Sequence, residues 1–356
     1  MDQLEIFERL QKILEEYKKS FDKHYSRLQS RMVESLQEAY EKYGNNLSEY
    51  RKYSRLQALV KQFDGISTAE YQKLLEEALK MQEETFDMTF LLYTYLIYLY
   101  LSNEEGKLLS ITSAAAGTST AVAIIYWLLR NRKRLLKEFL KESEYETLLR
   151  FKKHKDDYVY SVFMDTQDNL KAEEDFTATS KQAKKRTQSA RNNGIKRLQE
   201  MFNSTVNYVQ EIVYDALKDK VDGVEKMWIS MRDMQVRHAH RILDSQFADE
   251  DGYFHYAGDR AKRPKLWKDP SMNYGCRCKI ILLFGGRNPM FSRVHDYQDP
   301  QYQIKLAKRI DELLPNKTYL QSLKQAQDEI KPPKRTVPYI TFEDWLEQYG
   351  EKGDVS

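Results

Sequence analysis

Cysteine and proline are the scarcest signals in this sequence, and their distribution divides it. The 356 residues include two cysteines, too few for a disulfide framework, so a reducing compartment is the expected place of folding. All eight prolines lie at or after Pro264. Because proline is excluded from helix interiors, the proline-free stretch 1–263 is predicted to be mostly helical.

A strong net charge and the common enzyme signatures are also missing. The 57 basic and 54 acidic side chains nearly cancel, so a surface for nucleic acid would have to be local. We find no G-x-S-x-G, G-x-x-x-x-G-K or H-E-x-x-H motif and no glycine-rich dinucleotide turn. We therefore expect no enzymatic activity and no cofactor. The first residues, MDQLEIFERL, carry acids and lack the apolar core of a secretory signal.

The first 85 residues show the three-four spacing of apolar residues that is typical of long amphipathic helices or a short coiled coil. His24 falls on the first apolar stripe and is predicted to be a packing residue. A second helix is predicted to end near Asp64. Ser67 and Glu70 have the spacing of a capping box, which predicts that a third helix begins there.

Residues 88–129 contain two uncharged apolar runs, MTFLLYTYLIYLYL and LLSITSAAAGTSTAVAIIYWLL. The second run has the length and the flanking positive charge of a membrane-spanning helix, whereas the first is too short by itself. Many small and hydroxyl residues dilute the second run. We therefore expect a helical hairpin buried in protein, with a hairpin in a bilayer as the alternative.

A basic segment lies at 181–197, where KQAKKRTQSARNNGIKR carries seven basic residues and no acid. Such a segment can neutralise phosphates without reading bases. A solvated helix face is the alternative, because no aromatic residues are interleaved. The candidate DNA-binding residues are Lys181, Lys184, Lys185, Arg186, Arg191, Lys196 and Arg197.

The stretch VRHAHRILD contains two of the six histidines. A strand is predicted around Trp228, and Asp233 is a natural N-cap for the helix that follows. On that helix His240 shares the apolar face with Leu243, while His238 points to the other side. A helical H-x-H pair cannot chelate one ion with both rings, so this pair is a poor zinc signature.

Both cysteines lie in GCRCKIILLF. In a strand, alternation places Cys276 and Cys278 on the buried face and Arg277 on the other, where cysteines usually serve as small core residues. C-x-C also differs from the C-x-x-C knuckle, so we expect no metal. Two alternatives remain: an ion held by His240 with both cysteines, and a cysteine nucleophile next to Arg277 with His240 as its base.

The order of these elements resembles the conserved C-terminal domain of MuF-type phage minor head proteins, also called phage head morphogenesis proteins. In that family a tryptophan strand leads into D-x-x-x-R-x-x-H-x-x-L-D-G, and the domain closes with a proline, a short gap and N-C-R-C. Ser245 and Gly275 replace the family's glycine and asparagine, both at turns. The matching residues are Trp228, Asp233, Arg237, His240, Leu243, Asp244, Pro270, Cys276, Arg277 and Cys278.

The resemblance covers roughly residues 205–284 and implies a small α+β domain after the long helices of residues 1–220. From the residues, we expect the motif to hold that domain together, with Arg237 and Asp244 able to pair as fixed charges. We also expect a division of the chain into amphipathic helices, a region with the apolar hairpin and basic helix, the MuF-like domain, and an extension with a proline linker and a short helix. The corresponding ranges are 1–85, 86–200, 201–286 and 287–356.

The resemblance further implies a structural protein inside the virion of a tailed bacteriophage, made in the host cytoplasm and oligomeric in the particle. Its implied partners are the portal protein, other capsid proteins and packaged double-stranded DNA, and its implied roles are head morphogenesis and genome delivery. The alternative is an ejection protein whose residues 88–129 insert into the host envelope.

Overall fold

The computed structural model describes residues 3–51, 54–101, 117–221, 223–230, 237–284, 300–330 and 347. Over these residues the chain is mainly α-helical, which confirms the expected class. Four long helices and one short helix make up the part before the first strand. They are α1 (Gln3–Tyr43), α2 (Leu47–Arg51), α3 (Arg55–Leu101), α4 (Gly117–Lys171) and α5 (Phe176–Leu217).

The first apolar stripe forms the buried face of α1, as its spacing predicted. Leu10, Leu14, Phe21 and Leu28 are fully buried, and His24 is buried on the same face. Because residues three and four apart lie on one side of a helix, this stripe packs while Glu and Lys side chains face solvent.

The predicted helix boundary near Asp64 is wrong, because α3 runs without interruption through Gly65. Glu70 does not close a capping box; its carboxylate binds His24 Nδ1 at 2.9 Å, and Ser67 is fully buried. A capping box depends on short-range spacing alone, and here the contact with another helix determines the structure.

The first apolar run forms the end of α3 and is buried in protein. Of its residues, Phe90, Leu92, Tyr95 and Leu96 have no exposed surface. No helix among the described residues is long and apolar enough to cross a membrane. Residues 102–116, which belong to the predicted hairpin, lie outside the described part of the chain.

The region after α5 contains short strands and helices in two small sheets. Strands β1 and β4 pair antiparallel, with Trp228 opposite Ile280, and β2 pairs antiparallel with β3. The strands and helices are β1 (Val224–Ile229), α6 (His238–Leu243), β2 (Phe254–Tyr256), β3 (Asp259–Ala261), α7 (Pro270–Asn273) and β4 (Lys279–Phe284). The expected strand around Trp228 is therefore present.

The predicted strand over GCRCKIILLF begins later than expected. Cys276 and Cys278 lie in an extended segment before β4, which starts at Lys279. Burial alternates through this segment up to Ile280 and then becomes continuous to Leu283. Pro270, expected in a loop, begins the single turn of α7, where its missing N–H costs nothing.

After β4, the described residues form a helical hairpin that the sequence reading did not predict. Helix α8 (Pro300–Leu313) is followed by a 3₁₀ turn (Leu314–Asn316) and α9 (Tyr319–Glu329), which Thr318 caps. A small apolar cluster around Tyr302, Leu306 and Ala326 joins α8 to α9. The predicted proline linker at 331–338 and the helix near Thr341 lie outside the described residues.

The chain separates into two compact units. One contains residues 11–86 and 134–205, and the other contains residues 1–10, 87–133 and 206–356. The expected division at residues 85, 200 and 286 remains a prediction.

Candidate functional site

The motif histidine and both cysteines meet in the apolar core of the region after α5. His240 lies on α6, and the cysteines lie in the segment that enters β4. All three are almost completely buried, with exposed fractions of 2% for His240, 2% for Cys276 and 3% for Cys278. The rest of the core consists of Trp228, Leu243, Phe254, Ala261, Trp267, Met272 and Ile280.

His240 faces both sulfur atoms with one ring nitrogen. Its Nδ1 lies 3.1 Å from Cys278 Sγ and 3.5 Å from Cys276 Sγ. The three atoms lie within 4.8 Å of one another. His240 Nε2 is buried without a hydrogen-bond partner among the described residues. Both cysteines are buried, as the strand pattern predicted, and the three side chains that the metal alternative grouped lie together.

The two thiols have different acidities because they share one hydrogen bond. The hydrogen bond from Cys278 lowers the pKa of Cys276 to about 5, against burial, which raises it. The hydrogen bond to Cys276 and burial raise the pKa of Cys278 far above its ordinary value. Of the two side chains, Cys276 is therefore the one that gives up its proton more readily.

Arg237 holds the segment that precedes the cysteines. Its guanidinium donates to the carbonyls of Ser271, Met272 and Tyr274, the last at 2.7 Å. These carbonyls belong to the C-terminal end of α7, where helical acceptors are left without partners. Cys276 N then donates to Asn273 O, which continues the turn into the cysteine segment.

Asp244 also binds the backbone, since its Oδ1 accepts a hydrogen bond from Ser230 N at 2.8 Å. This bond ties the end of α6 to the end of β1. Arg237 and Asp244 therefore each bind backbone atoms in this structure. The expected ion pair between their two side chains stays a prediction.

Leu243 is fully buried in the same core, and Arg277 is half-buried between the two cysteines. His238 is exposed, as expected for the opposite face of α6. Asp233, the predicted N-cap, lies outside the described residues. Of the motif residues, Trp228, His240, Leu243 and the two cysteines therefore share one core, and Arg237, Asp244, Pro270 and Arg277 lie around it with more exposure.

Asn207 on α5 is a further important residue that the sequence reading missed. Its Nδ2 donates to Cys278 O at 3.1 Å, and its Oδ1 accepts from Ile280 N at 3.2 Å. The side chain therefore binds the backbone of the cysteine segment and β4 as a neighbouring strand would. Asparagine is disfavoured within helices, so its place in a helical stretch was an available signal.

Lys226 was missed in the same way. Its ammonium donates to Gly252 O at 2.7 Å and to Lys262 O at 2.9 Å, and it lies 4.7 Å from the centre of the Tyr214 ring. Burial lowers the pKa of Lys226 to about 8. Alternation in β1 places Lys226 on the same face as Trp228, so a lysine among buried residues was visible in the sequence.

The two positions that depart from the family pattern have left-handed backbones. Ser245 has φ 67° and Gly275 has φ 64°. Glycine and asparagine adopt this conformation more easily than other residues. Gly275 suits this backbone, whereas Ser245 adopts it as a residue for which it is unfavourable.

The seven basic candidates on α5 are not equivalent. Arg186 makes a two-bond ion pair with Asp165 at 2.6 and 2.9 Å, and Arg191 makes one with Asp22 at 2.8 Å for both bonds. Arg197 donates to the carbonyl of Arg150, and Lys196 is exposed. The exposed candidates for which the described residues show no ion pair are Lys181, Lys184 and Lys185.

Comparison with known proteins gives a partial similarity. A stretch of 76 residues is 30% identical to NAD(+)–arginine ADP-ribosyltransferase EFV of Enterococcus faecalis (strain ATCC 700802 / V583). The match spans 21% of this chain and 16% of that protein, so most of that protein's length lies outside the match. No family model and no solved structure matches the chain.

Proposed function

We propose that this chain is a structural minor head protein of a tailed bacteriophage, associated with the portal and with packaged DNA. The observation that supports this role is the use made of the motif side chains. His240 and the two cysteines contact one another inside a packed core, and Arg237 and Asp244 bind backbone atoms next to that core. Residues used in this way specify a fold, so a role in assembly fits them better than turnover of a substrate.

Enzymatic activity is not part of the proposal. The similarity to an ADP-ribosyltransferase covers 16% of that enzyme, which is too little to transfer its reaction to this chain. Incubation of the purified protein with labelled NAD⁺ and an arginine-rich acceptor should leave the acceptor unlabelled. Labelled arginine would contradict the structural role.

The location in the particle is tested by quantitative mass spectrometry of gradient-purified virions before and after triggered DNA release. A fixed structural component should be present with the portal and remain in emptied heads. Loss of the protein together with the DNA would instead favour the ejection role.

The ejection alternative assigns membrane insertion to residues 88–129. The burial of Phe90, Leu92 and Tyr95 means that insertion would require α3 to leave its core. Flotation of the full chain with liposomes, before and after mild acid treatment, tests this step. We expect the protein to remain in the unbound fraction under both conditions.

The DNA contact is proposed for Lys181, Lys184 and Lys185. When the logarithm of the DNA association constant is plotted against the logarithm of the salt concentration, three phosphate contacts give a slope of about −3. Contacts from all seven candidates would give a slope of about −6. Binding to random duplex DNA at several salt concentrations measures this slope. Substitution of these three lysines by glutamine should remove binding, while Arg186→Gln, which breaks an internal ion pair, should change the slope little.

A further inference from the structure

The His240, Cys276 and Cys278 side chains have the chemistry and spacing of a zinc site. Two thiolates and one imidazole are ligands that zinc prefers, whereas calcium and magnesium require oxygen ligands. The ligand atoms come from two segments, α6 and the approach to β4, so a bound ion would join parts of the chain that are far apart in sequence. Nothing else in the described residues forms a comparable group of His, Cys, Asp or Glu.

The distances fit a tetrahedral ion after small movements. With Zn–S of about 2.3 Å and Zn–N of about 2.0 Å, neighbouring N and S ligands are about 3.5 Å apart and two S ligands about 3.8 Å. His240 Nδ1 lies 3.1 and 3.5 Å from the two sulfur atoms, and no pair of ligand atoms exceeds 4.8 Å. Movements of about half an ångström would complete the geometry.

The surrounding contacts hold the ligands in place. Asn207 binds the carbonyl of Cys278, and Arg237 binds the turn that leads to Cys276. The Trp228 ring packs edge-on against the His240 ring, with centroids 6.2 Å apart. Such fixed surroundings orient ligands before the ion arrives and reduce the cost of ordering them.

We propose that His240 Nδ1, Cys276 Sγ and Cys278 Sγ bind one Zn²⁺ ion that stabilises the region after α5. Three protein ligands leave a fourth position for water or another small ligand. The ion is assigned a stabilising role because the three ligands are buried in an apolar core, where it would join two separate segments of the chain. This inference does not depend on the proposed phage role.

The first test uses the full wild-type chain, purified without a histidine tag under reducing conditions from zinc-supplemented cells. Elemental analysis should find about one zinc per chain. Replacement by Co²⁺ should give the thiolate-to-cobalt charge-transfer band and the visible bands of a tetrahedral ion. If the protein is metal-free and takes up neither Zn²⁺ nor Co²⁺, the three side chains are held together by hydrogen bonds alone. That result would overturn the proposal.

Variants then test the ligands. Cys278→Ser and His240→Gln should each lower zinc affinity by more than about 100-fold. That factor is the upper end of the loss caused by removing a residue that only hydrogen-bonds to a ligand. His238→Gln is the matched control, because His238 lies on the same helix and is exposed, and it should retain one zinc per chain. Full zinc content in the folded ligand variants would contradict the assignment.

A further measurement covers ligand variants that do not fold. A strong chelator added to a variant that keeps Trp228 and Trp267 but has phenylalanine at the other two tryptophans, Trp127 and Trp345, should lower the melting temperature of the fluorescence transition, and added zinc should restore it. The same chelator should leave the melting of the long helices, followed by circular dichroism, nearly unchanged. An unaltered fluorescence transition in a zinc-containing protein would exclude the stabilising role.

Discussion

The unit of residues 11–86 and 134–205 and the region after α5 satisfy their buried polar side chains in different ways. Among the long helices, side chains on different helices pair with one another, as in His24 with Glu70 and Tyr158 with Thr187. Around the region after α5, several side chains instead bind backbone atoms of other segments, as Lys226 and Arg237 do and as Asn207 does from α5. The two regions therefore depend on different kinds of contact.

The reason lies in the length of the elements. A long helix satisfies most of its own N–H and C=O groups, so its buried polar side chains are available to one another. Strands of three to six residues and single helical turns leave many backbone groups without partners. Side chains must supply those partners, and each such side chain becomes hard to replace.

The largest expected effect concerns Asn207. Asn207→Ala leaves Cys278 O and Ile280 N buried without their partner, which should cost about 2–5 kcal/mol of stability. Urea unfolding followed by tryptophan fluorescence reports this region through Trp228 and Trp267 when Trp127 and Trp345 are replaced by phenylalanine in every protein compared. Asn193→Ala, at an exposed position of the same helix, is the control and should change stability by less than about 0.5 kcal/mol. Equal effects of the two substitutions would remove the distinction drawn between the regions.

The helical unit should be sensitive to size instead. A Cβ at Gly194 would lie 2.9 Å from two Tyr25 ring carbons, so Gly194→Ala should destabilise by about 1–3 kcal/mol. Gly65→Ala in α3 meets nothing within 4 Å and should stabilise by about 1 kcal/mol through helix propensity. Thermal melting followed by circular dichroism compares the two. Stabilisation by both substitutions would contradict the close approach of α5 to Tyr25.

These contrasts also explain which features the sequence could predict. Apolar spacing reports burial, so the stripe of α1 and the strand around Trp228 were predictable from local pattern. The continuity of α3 was not, because Glu70 is used by His24 on another helix. A capping-box spacing carries no information about such a contact.

The candidate site was predictable in composition but not in geometry. The motif identified His240 and both cysteines, yet 36 residues separate His240 from Cys276, and only the fold brings Nδ1 to the sulfur atoms. Asn207 lies outside the motif and has no spacing rule, since its partners are backbone atoms. The unpredicted hairpin of α8 and α9 was open to ordinary periodicity analysis.

The buried Lys226 should make the stability of the second region depend on pH. Its pKa is about 8 in the folded chain and 10.5 ordinarily, so between these values the unfolded chain binds the extra proton. Stability therefore rises with pH across this window, by at most about 1.4 kcal/mol per pH unit, and the full penalty for burying the charge is present below about pH 8.

Lys226→Met should remove this contribution, which is measured as a smaller slope of unfolding free energy between about pH 8 and pH 9.5 than in the wild type. Both proteins retain the two cysteines, so the contribution of cysteine titration cancels when the two slopes are subtracted. Lys181→Met, at an exposed lysine, should keep the wild-type slope. A slope unchanged in Lys226→Met would mean that the buried ammonium is not desolvated as its contacts imply.

The smallest expected effect tests the backbone at the turn after α6. Ser245 is exposed with φ 67°, and Ser245 N donates to Trp228 O at 2.8 Å, a bond that any residue can make. The left-handed conformation costs a non-glycine residue about 1–2 kcal/mol, and the greater freedom of glycine in the unfolded chain offsets about 0.5–1 kcal/mol of that. Ser245→Gly should therefore stabilise by about 0.5 kcal/mol.

Ser189→Gly, at an exposed position within α5, is the matched control and should destabilise by about 0.5 kcal/mol because glycine is the weaker helix former. Urea midpoints measured by fluorescence for the first variant and by circular dichroism for the second resolve the opposite signs. Destabilisation by both would mean that the turn does not need the left-handed backbone. Opposite signs would mean that backbone conformation, in addition to side-chain contacts, constrains the residue types of the region after α5.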